Sequence, residues 1–333
     1  MKILIFHPSL LPPKNYGGTE RVVLWLTKGL VELGHEVWVG AYEGSILPAG
    51  AKLLVIDPRK NSAKDLKDMK VPNGVELIHF MAPLSHQEWE GLRHPAVVTV
   101  HGNGKSGERF PKNTVFLSQD HARRHGGTAY IYNGIDPAEY RFEPQLKEDW
   151  FLFLSKTSWR VKNLEGAIRI CRKAKVPLRI AGGSRPYLTH LKTLLMPGLQ
   201  WLGPVNGARK AQYLARARAL IFPVLWPEPF GLVVAEALVS GTPVLGTRHG
   251  SLPELVPSDV GALLGDSEDV DGEWLGLLKT GDLKWDPARC RDWALRKFHY
   301  KRMAEDYERV YRRVIAGEYL NQDHPVGRDW RNP

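Results

Sequence analysis

Short apolar runs alternate with longer, more polar segments along most of this chain. The first run, Lys2–Phe6, has the length of a buried strand. A segment with a helical pattern follows at about Thr19–Leu33, and Gly34 is placed to end it. Glu36–Ala41 then reads as the next strand. This change between strand and helix patterns predicts a parallel sheet with helices on its faces.

The same alternation continues to the end of the chain. Further strands are predicted in the first half at Leu53–Ile56, Leu77–Phe80, Val97–Val100, Val115–Ser118 and Ala129–Tyr132. The second half predicts strands at Phe151–Leu154, Leu178–Gly182, Leu199–Leu202, Ala219–Phe222 and Pro243–Gly246. Helices are predicted there at Leu164–Lys175, Tyr187–Leu195, Ala208–Ala217, Leu232–Val239 and Pro287–Ile315. With 333 residues, the chain is long enough for two α/β domains of ordinary size.

One strand–loop–helix unit in the second half carries the most distinctive chemistry. The strand Ala219–Phe222 leads into the loop Trp226-Pro-Glu-Pro-Phe-Gly, in which Pro229 suits the first position of a helix. Open parallel sheets bind ligands at the carboxyl ends of their strands. An anion site is therefore expected at this helix N-terminus, beside Glu228. Its donors would be the amides of Phe230, Gly231 and Leu232.

A second acid, Glu236, falls in the helix that follows. The helix is otherwise apolar on nearly every side, and a carboxylate there is costly unless it is hydrogen-bonded or paired. Glu228 and Glu236 are separated by about 12 Å along the helix axis, a span that suits a ligand with two polar ends and a charged middle. The residues leave an alternative open, in which Glu236 forms an internal ion pair and Glu228 only caps the helix.

Three other places could bind a ligand. The Gly17-Gly18-Thr19-Glu20 turn puts unhindered amides at a helix N-terminus, which favours an anion. The loop after Phe151–Leu154 holds Lys156, Arg160 and Lys162, and clustered cations at a strand end suit a diphosphate. His101 directly follows the strand Val97–Val100 and could offer a hydrogen bond there. A flexible loop, a solvated basic loop and a structural histidine are the respective alternatives.

The charge and cysteine content of the chain indicate which kinds of partner and which compartment to expect. The 46 basic and 36 acidic residues give a net charge of +10, which suggests nucleotide phosphates, an anionic membrane surface or nucleic acid. The basic residues are dispersed and no nucleic-acid-binding motif is present, so we predict no nucleic-acid partner. The two cysteines, Cys171 and Cys290, are too far apart in sequence for a disulfide framework or metal-ligand spacing. This pattern favours a reducing compartment and predicts a cytoplasmic location, with peripheral membrane contact left open.

Membrane insertion is not expected. The apolar run at Met1–Phe6 is far too short for a signal peptide, and no run of 18 apolar residues occurs anywhere in the chain. We therefore predict that the chain carries no transmembrane helix.

The segment Glu228-Pro-Phe-Gly-Leu…Glu236, followed by Gly241-Thr-Pro-Val, resembles the signature of the retaining glycosyltransferases of family 4, the glycosyl transferases group 1. Thr99-Val-His-Gly102 and the Gly17-Gly18 pair resemble landmarks of the same family. The resemblance implies the GT-B fold: two Rossmann-like, doubly wound domains with a cleft between them and a C-terminal helix that crosses back. It divides the chain into an acceptor-side domain at 1–140, a nucleotide-sugar domain at 150–286, a crossing helix at 287–316 and an irregular tail at 317–333.

The resemblance also implies roles for the site residues. In the family the first acid, here Glu228, contacts hydroxyls of the donor sugar, and the second, here Glu236, binds the ribose of the nucleotide. The glycine pair, here Gly17 and Gly18, approaches the donor phosphates. The strand-end histidine, here His101, lies beside the donor sugar. On this basis, replacing Glu236 should weaken nucleotide binding and leave the fold intact.

One position departs from the family pattern. Relatives usually have Gly-Arg after the first strand of the second domain and a lysine five or six residues later. This chain has Ser155-Lys156 there, and Lys162 follows six positions on. A lysine lacks the bidentate fork of arginine, so either Lys156 or Arg160 could fill the arginine position.

The function implied by the resemblance is transfer of a sugar from a nucleotide-diphosphate donor to an unidentified acceptor, with retention, no metal and no cofactor. The predicted catalytic residues are His101, Lys156, Lys162 and Glu228. The predicted donor-binding residues are Gly17, Gly18, Arg160, Phe230, Gly231, Leu232 and Glu236. A GT-B epimerase or hydrolase and a basic nucleic-acid-binding protein are the alternatives. An NAD dehydrogenase is disfavoured because no G-x-G-x-x-G follows the first strand.

Overall fold

Two six-stranded parallel sheets organise the chain in a computed structural model. The structure describes residues 1–14, 17–57, 71–82, 84, 86–183, 196–265, 270–279 and 284–329. The chain divides into two compact units, which we call the first and the second domain. Met1–Ile135 and Phe298–Pro333 form the first domain, and Asp136–Lys297 forms the second.

The sheet of the first domain has the strand order β3-β2-β1-β4-β5-β6. Its strands are β1 (Lys2–Phe6), β2 (Glu36–Tyr42), β3 (Lys52–Ile56), β4 (Leu77–Phe80), β5 (Ala96–Thr99) and β6 (Thr114–Val115). The helices before the domain boundary are α1 (Gly18–Glu32), α2 (His86–Glu90) and α3 (Gln119–Arg124). The strand order reverses between β1 and β4, which makes the carboxyl end of β1 the switch point where such sheets bind ligands.

The sheet of the second domain repeats this plan, with the order β12-β11-β10-β7-β8-β9. Its strands are β7 (Phe151–Leu154), β8 (Leu178–Ala181), β9 (Leu199–Gly203), β10 (Ala219–Phe222), β11 (Val244–Thr247) and β12 (Gly261–Leu264). Its helices are α4 (Leu164–Ala174), α5 (Gly207–Arg216), α6 (Leu232–Val239), α7 (Leu252–Leu255), α8 (Val270–Lys279) and α9 (Pro287–Phe298), the last ending at the boundary. The switch point here lies between β7 and β10.

Apolar runs form these strands because both faces of each sheet are covered. Phe151, Phe153 and Ile180 in the second sheet are fully buried, as are Ile3 and Ile5 in the first. Such strands read as continuous apolar runs and not as alternating ones. Most predicted strands are therefore confirmed, with bounds that shift by one or two residues.

The last predicted helix is interrupted. Instead of one helix over Pro287–Ile315, α9 ends at Phe298 and α10 spans Tyr300–Ile315. His299 between them is extended, and the backbone of Ile135 bonds to the residues on either side of it, with N–O distances of 2.7 and 3.0 Å. These backbone bonds replace helical ones at the break. In the first domain, α10 packs on α1, where Cβ of Ala304 lies so close to Gly29 that a larger residue would clash.

Another prediction is wrong, and one falls outside the residues that the structure describes. Ala129–Tyr132 is not a strand: it contributes only an isolated bridge between Tyr130 and Phe116. The predicted helix Tyr187–Leu195 lies outside the described residues. The segment at 137–149 is part of the second domain, in which Tyr140 bonds to Glu236 and Lys147 bonds to the carbonyl of Ala217. Among the described helices, none combines the length and apolar character needed to span a bilayer.

Candidate functional site

The loop between β10 and α6 is shaped by a glycine. Gly231 has φ +82° and ψ 64°, a left-handed conformation that residues with a Cβ adopt at a cost, and α6 begins directly after it at Leu232. Pro229 therefore lies before the helix, and its predicted place as the first helical residue is wrong. Glu228 therefore lies in the loop before α6 and not in the helix. Its side chain contacts Lys162, which belongs to the loop after β7.

Glu228 is buried, with 7% of its surface exposed, and shares one oxygen between two donors. Lys162 Nζ lies 2.6 Å from Glu228 Oε2, and the indole Nε1 of Trp226 lies 2.6 Å from the same atom. In the part of the chain that the structure describes, the other oxygen, Oε1, receives no hydrogen bond. Lys162 is itself only 8% exposed, so this is a largely desolvated ion pair.

A tight turn after β7 places Lys162. Arg160–Lys162 forms one 3-10 turn, and Asn163 follows in the left-handed conformation with φ 56°. The Asn163 side chain accepts a hydrogen bond from the amide of Gly166, which caps α4, and donates to the carbonyl of Pro223. Asn163 thereby ties the Lys162 turn to the loop that carries Glu228.

The three predicted cations of this turn do not act alike. Lys162 reaches Glu228, as described above. Lys156 is exposed and holds its ammonium over the ring of Trp159, 4.6 Å from the centroid. Arg160 is also exposed and has no ion-pair partner within the described chain. The structure thus brings only Lys162 to the acid, and neither Lys156 nor Arg160 is fixed at the missing arginine position.

The start of α6 presents amides beside Glu228. Among the described residues, the amides of Leu232 and Val233 have no acceptor, as expected for a first helical turn. Phe230 is buried, and its carbonyl accepts from Ser251 Oγ at 2.8 Å. Gly250 approaches the loop so closely that a Cβ there would lie 2.3 Å from the Glu228 nitrogen. The turn at 250–254 therefore packs against the backbone of Glu228.

Glu236 is more deeply buried and is paired inside its own domain. Its Oε1 accepts from Lys210 Nζ and from the Tyr140 hydroxyl, both at 2.8 Å, and only 3% of the residue is exposed. This is the internal ion pair that the sequence left open as an alternative. Neither partner was predicted, because Tyr140 and Lys210 are distant in sequence and match no motif.

In the first domain, two histidines follow the carboxyl ends of β1 and β5, the strands on either side of β4. His101 follows β5, and His7 follows β1 at the switch point. Nε2 of His101 and both ring nitrogens of His7 are buried without a hydrogen-bond partner in the described chain. Burial, with a smaller effect of His7, lowers the pKa of His101 to about 3. Burial also lowers the pKa of His7, although Glu20 and the backbone of Met81 favour its protonated form.

The loop after His101 is anchored by α3. The carbonyl of Gly102 lies 3.0 Å from His121 Nε2, and that of Asn103 lies 2.8 Å from His125 Nε2. Arg124 donates to the Asn103 side chain at 3.1 Å. These three residues hold the chain that carries His101. Sequence analysis missed them, although the His-Ala-Arg-Arg-His spacing puts both histidines on one helical face.

The other predicted landmarks of this domain are found at their expected places. Gly18 begins α1, and Gly17 directly precedes it in extended conformation. A Cβ on Gly17 would lie 2.5 Å from the side chain of Pro13, so the turn packs tightly. His79 is fully buried: its Nδ1 lies 2.7 Å from the Tyr311 hydroxyl and its Nε2 2.7 Å from Thr99 Oγ1. This network gives His79 a structural role in the core of the first domain.

Comparison with known proteins identifies a family in the second domain. Residues 136–272 match the family model described as Glycosyl transferases group 1. This segment is a group 1 glycosyltransferase domain. Both Glu228 and Glu236, with Lys162, lie inside the group 1 domain. The family predicted from Glu228-Pro-Phe-Gly is thereby confirmed.

Curated proteins that are similar to this chain include N-acetyl-alpha-D-glucosaminyl L-malate synthase of Bacillus anthracis. It is 35% identical over 209 residues, which is 56% of this chain and 54% of that protein. The chain spans about half the length of the curated relatives it matches.

Solved structures resemble nearly the whole chain. AviGT4, a glycosyltransferase involved in avilamycin A biosynthesis, has a TM-score of 0.78 at 27% identity, over 95% of this chain and 98% of that one. HepE of Anabaena, in complex with UDP-glucose, has a TM-score of 0.66 at 18% identity, over 93% and 99%. With the two parallel sheets, these likenesses confirm the predicted GT-B, Rossmann-like fold.

Proposed function

We propose that this protein transfers a sugar from a nucleotide-diphosphate donor to an acceptor hydroxyl, with retention of anomeric configuration and without a metal ion. The observation that carries the proposal is the state of Glu228. Its carboxylate is fixed through Oε2 by Lys162 and Trp226, next to the start of α6, and Oε1 keeps its capacity to accept. A fixed acceptor beside a cation and helix amides suits a ligand that combines hydroxyls with a diphosphate.

In this proposal Glu228 Oε1 accepts a hydrogen bond from a hydroxyl of the donor sugar. Lys162 and the amides of Leu232 and Val233 face the diphosphate. As the bond between the anomeric carbon and the phosphate oxygen breaks, its electron pair remains on that oxygen. Fixed positive charge and amide dipoles stabilise this growing charge more in the transition state than in the ground state.

The acceptor oxygen then bonds to the anomeric carbon, and its proton passes to the departing phosphate oxygen, on the same face of the sugar. No side-chain nucleophile enters this scheme. Because Lys162 and the helix amides supply the positive charge, we propose that activity does not depend on a divalent ion. The resemblance assigns His101 to the donor sugar and Gly17 and Gly18 to the donor phosphates, and those roles remain predictions.

The role of Glu236 is more restricted than the family pattern implies. Its Oε1 is already bonded to Lys210 and Tyr140, so contact with a ribose would have to share that carboxylate with both. We propose that Glu236 serves mainly to hold α6 in place and only secondarily to meet the nucleotide.

UDP-glucose is the first donor to test, because HepE shares the fold and binds it. UDP-, GDP- and ADP-linked sugars would be screened by thermal shift, since a donor that binds the folded state raises its melting temperature. Turnover would be followed as release of nucleotide diphosphate, with and without sugar and polyol acceptors and with EDTA. Proton NMR of the product would give its anomeric configuration.

We expect EDTA-resistant transfer, an α product from an α donor, and a large but measurable fall in turnover in Glu228→Gln. Release of nucleotide in the absence of any acceptor at the full rate would instead indicate a hydrolase. A β product from an α donor would refute retention. If no sugar nucleotide stabilised the protein and none was turned over, the proposed function as a whole would be refuted.

A further inference from the structure

Trp226 contacts both members of the buried ion pair. Its indole nitrogen donates to Glu228 Oε2 at 2.6 Å, and its ring lies under the Lys162 ammonium, 4.8 Å from the centroid. No other side chain in the described part of the chain makes both contacts with this pair. Trp226 therefore acts on the acid through a hydrogen bond and on the cation through the ring face.

The geometry decides which carboxylate oxygen remains available. Two donors, one from Lys162 and one from Trp226, point at Oε2, so a ligand hydroxyl is left with Oε1. An indole N–H only donates and does not titrate near neutral pH, so this restraint is independent of protonation. Pro227 between Trp226 and Glu228 fixes φ at its own position and stiffens the connection.

We propose that Trp226 is a positioning residue: it directs Glu228 Oε1 toward a hydroxyl of the donor sugar and keeps Lys162 beside the acid. This inference rests on the proposed function. It predicts that Trp226 contributes to turnover without contacting the reacting atoms, and that its effect passes through Glu228.

The second domain contains a matched control. Trp150 Nε1 donates to Glu148 Oε2 at 2.9 Å, again between residues two positions apart. Trp150 lies just before the amino end of β7, whereas the Lys162 turn follows its carboxyl end. Replacement of either tryptophan by phenylalanine removes one indole–carboxylate hydrogen bond and keeps an aromatic ring. Only one of the two changes affects the proposed site.

The first experiment compares Trp226→Phe and Trp150→Phe with the wild-type protein, using UDP-glucose or the donor that the screen identifies. A hydrogen bond to a charged group corresponds to a rate change of about tenfold or more, so kcat of Trp226→Phe should fall by about that factor. KM should change by less than about threefold, because the ground-state contacts of the diphosphate remain. Trp150→Phe should match the wild type.

A thermodynamic cycle tests whether Trp226 acts through Glu228. Once Glu228→Gln has removed the charged acceptor, adding Trp226→Phe should change kcat by less than about twofold, since the two residues form one unit. A donor analogue lacking one sugar hydroxyl gives a second cycle. The analogue that loses most activity with the wild-type enzyme should lose clearly less with Trp226→Phe.

A spectroscopic measurement keeps the inference testable if a variant folds poorly. The indole ¹H–¹⁵N resonance of Trp226, identified by its absence from Trp226→Phe, should shift in Glu228→Gln, and that of Trp150 should not. An unshifted Trp226 resonance, independent effects in the cycle, or equal activity of Trp226→Phe and Trp150→Phe would overturn the positioning role while wild-type turnover is intact. Absence of wild-type turnover would instead refute the proposed function.

Discussion

The polar side chains near the carboxyl ends of the two sheets differ in charge and in hydrogen bonding. In the second domain, Lys162, Glu228 and Glu236 are buried charges, and each is paired with a partner from another segment of that domain. In the first domain, His7 and His101 are imidazoles of lowered pKa, and buried ring nitrogens lack partners in the described chain. The same sheet plan thus supports a charged, preorganised site in one domain and a neutral, unsatisfied one in the other.

This contrast indicates what each edge can bind. Paired charges favour a ligand that is itself charged, because it exchanges one set of ionic contacts for another. A neutral imidazole can both donate and accept, which suits a hydroxyl, and it offers a phosphate no ionic attraction. The contrast can be broken from either side, by removing a partner in the second domain or a histidine in the first.

The largest effect is expected from breaking the pair at Glu236. Glu236→Ala removes the counter-charge of Lys210, whose side chain is only 13% exposed, and this should lower the free energy of unfolding by about 3 kcal/mol in urea titrations. The double variant Glu236→Gln, Lys210→Met removes both charges and should recover most of this loss. Glu236→Ala with unchanged stability and weakened nucleotide affinity would restore the role that the sequence predicted.

Next in size is Lys162. Lys162→Ala should reduce kcat by about 100- to 1,000-fold, the range seen when a single transition-state donor is lost. Donor affinity, measured by calorimetry, should fall much less, because the charge on the leaving oxygen grows during the reaction. Lys156→Ala is the matched control, since that ammonium lies over Trp159. Equal losses in the two variants, or a rise in KM alone, would argue against the leaving-group role.

A histidine change tests the other side of the comparison. His101→Ala removes one neutral hydrogen-bonding group, so turnover should fall by about tenfold. The anomer of the product should stay the same, as judged by proton NMR. His35→Ala in the same domain controls for the loss of a buried imidazole that is not at the carboxyl edge of β5. A changed anomer would make His101 a participant in the displacement itself.

The smallest effect is a pH dependence of stability. Burial lowers the pKa of His79 from 6.5 to about 3. Between these values the unfolded state binds a proton that the folded state does not, so stability falls as the pH falls from 6.5 toward 3, by at most about 1.4 kcal/mol per pH unit. Urea titrations at pH 7 and pH 5 should show this loss. His79→Gln should reduce it, and an unchanged slope would assign the dependence to other groups.

Elements with a strong local signal could be predicted from the sequence. The strands that contain Phe151 and Ile3 are continuous apolar runs, and Gly241 follows shortly after the end of α6, so these bounds follow from local rules. The break at His299 follows instead from hydrogen bonds to Ile135, which is far away in sequence. A local pattern cannot contain that information.

The site divides along the same line. Glu228 and Lys162 were identifiable because a motif marks the first and a strand-end position the second. That they share a hydrogen bond, and that Trp226 donates to the same oxygen, depends on how two loops meet. Glu236 shows the limit most clearly, since its helix position predicted a need for partners but not whether protein or ligand would supply them.

The return of the last helix to the first domain has a consequence for how the chain is made. Residues 136–297 form the whole second domain, and the helix that packs on α1 and supplies Tyr307 and Tyr311 to the His79 network comes after them. On the ribosome the second domain can therefore finish folding while the first still lacks a wall of its core. Of these two domains, the one that is synthesised first is the last to be completed, and until α10 emerges α1 and β4 lack the helix that packs against them.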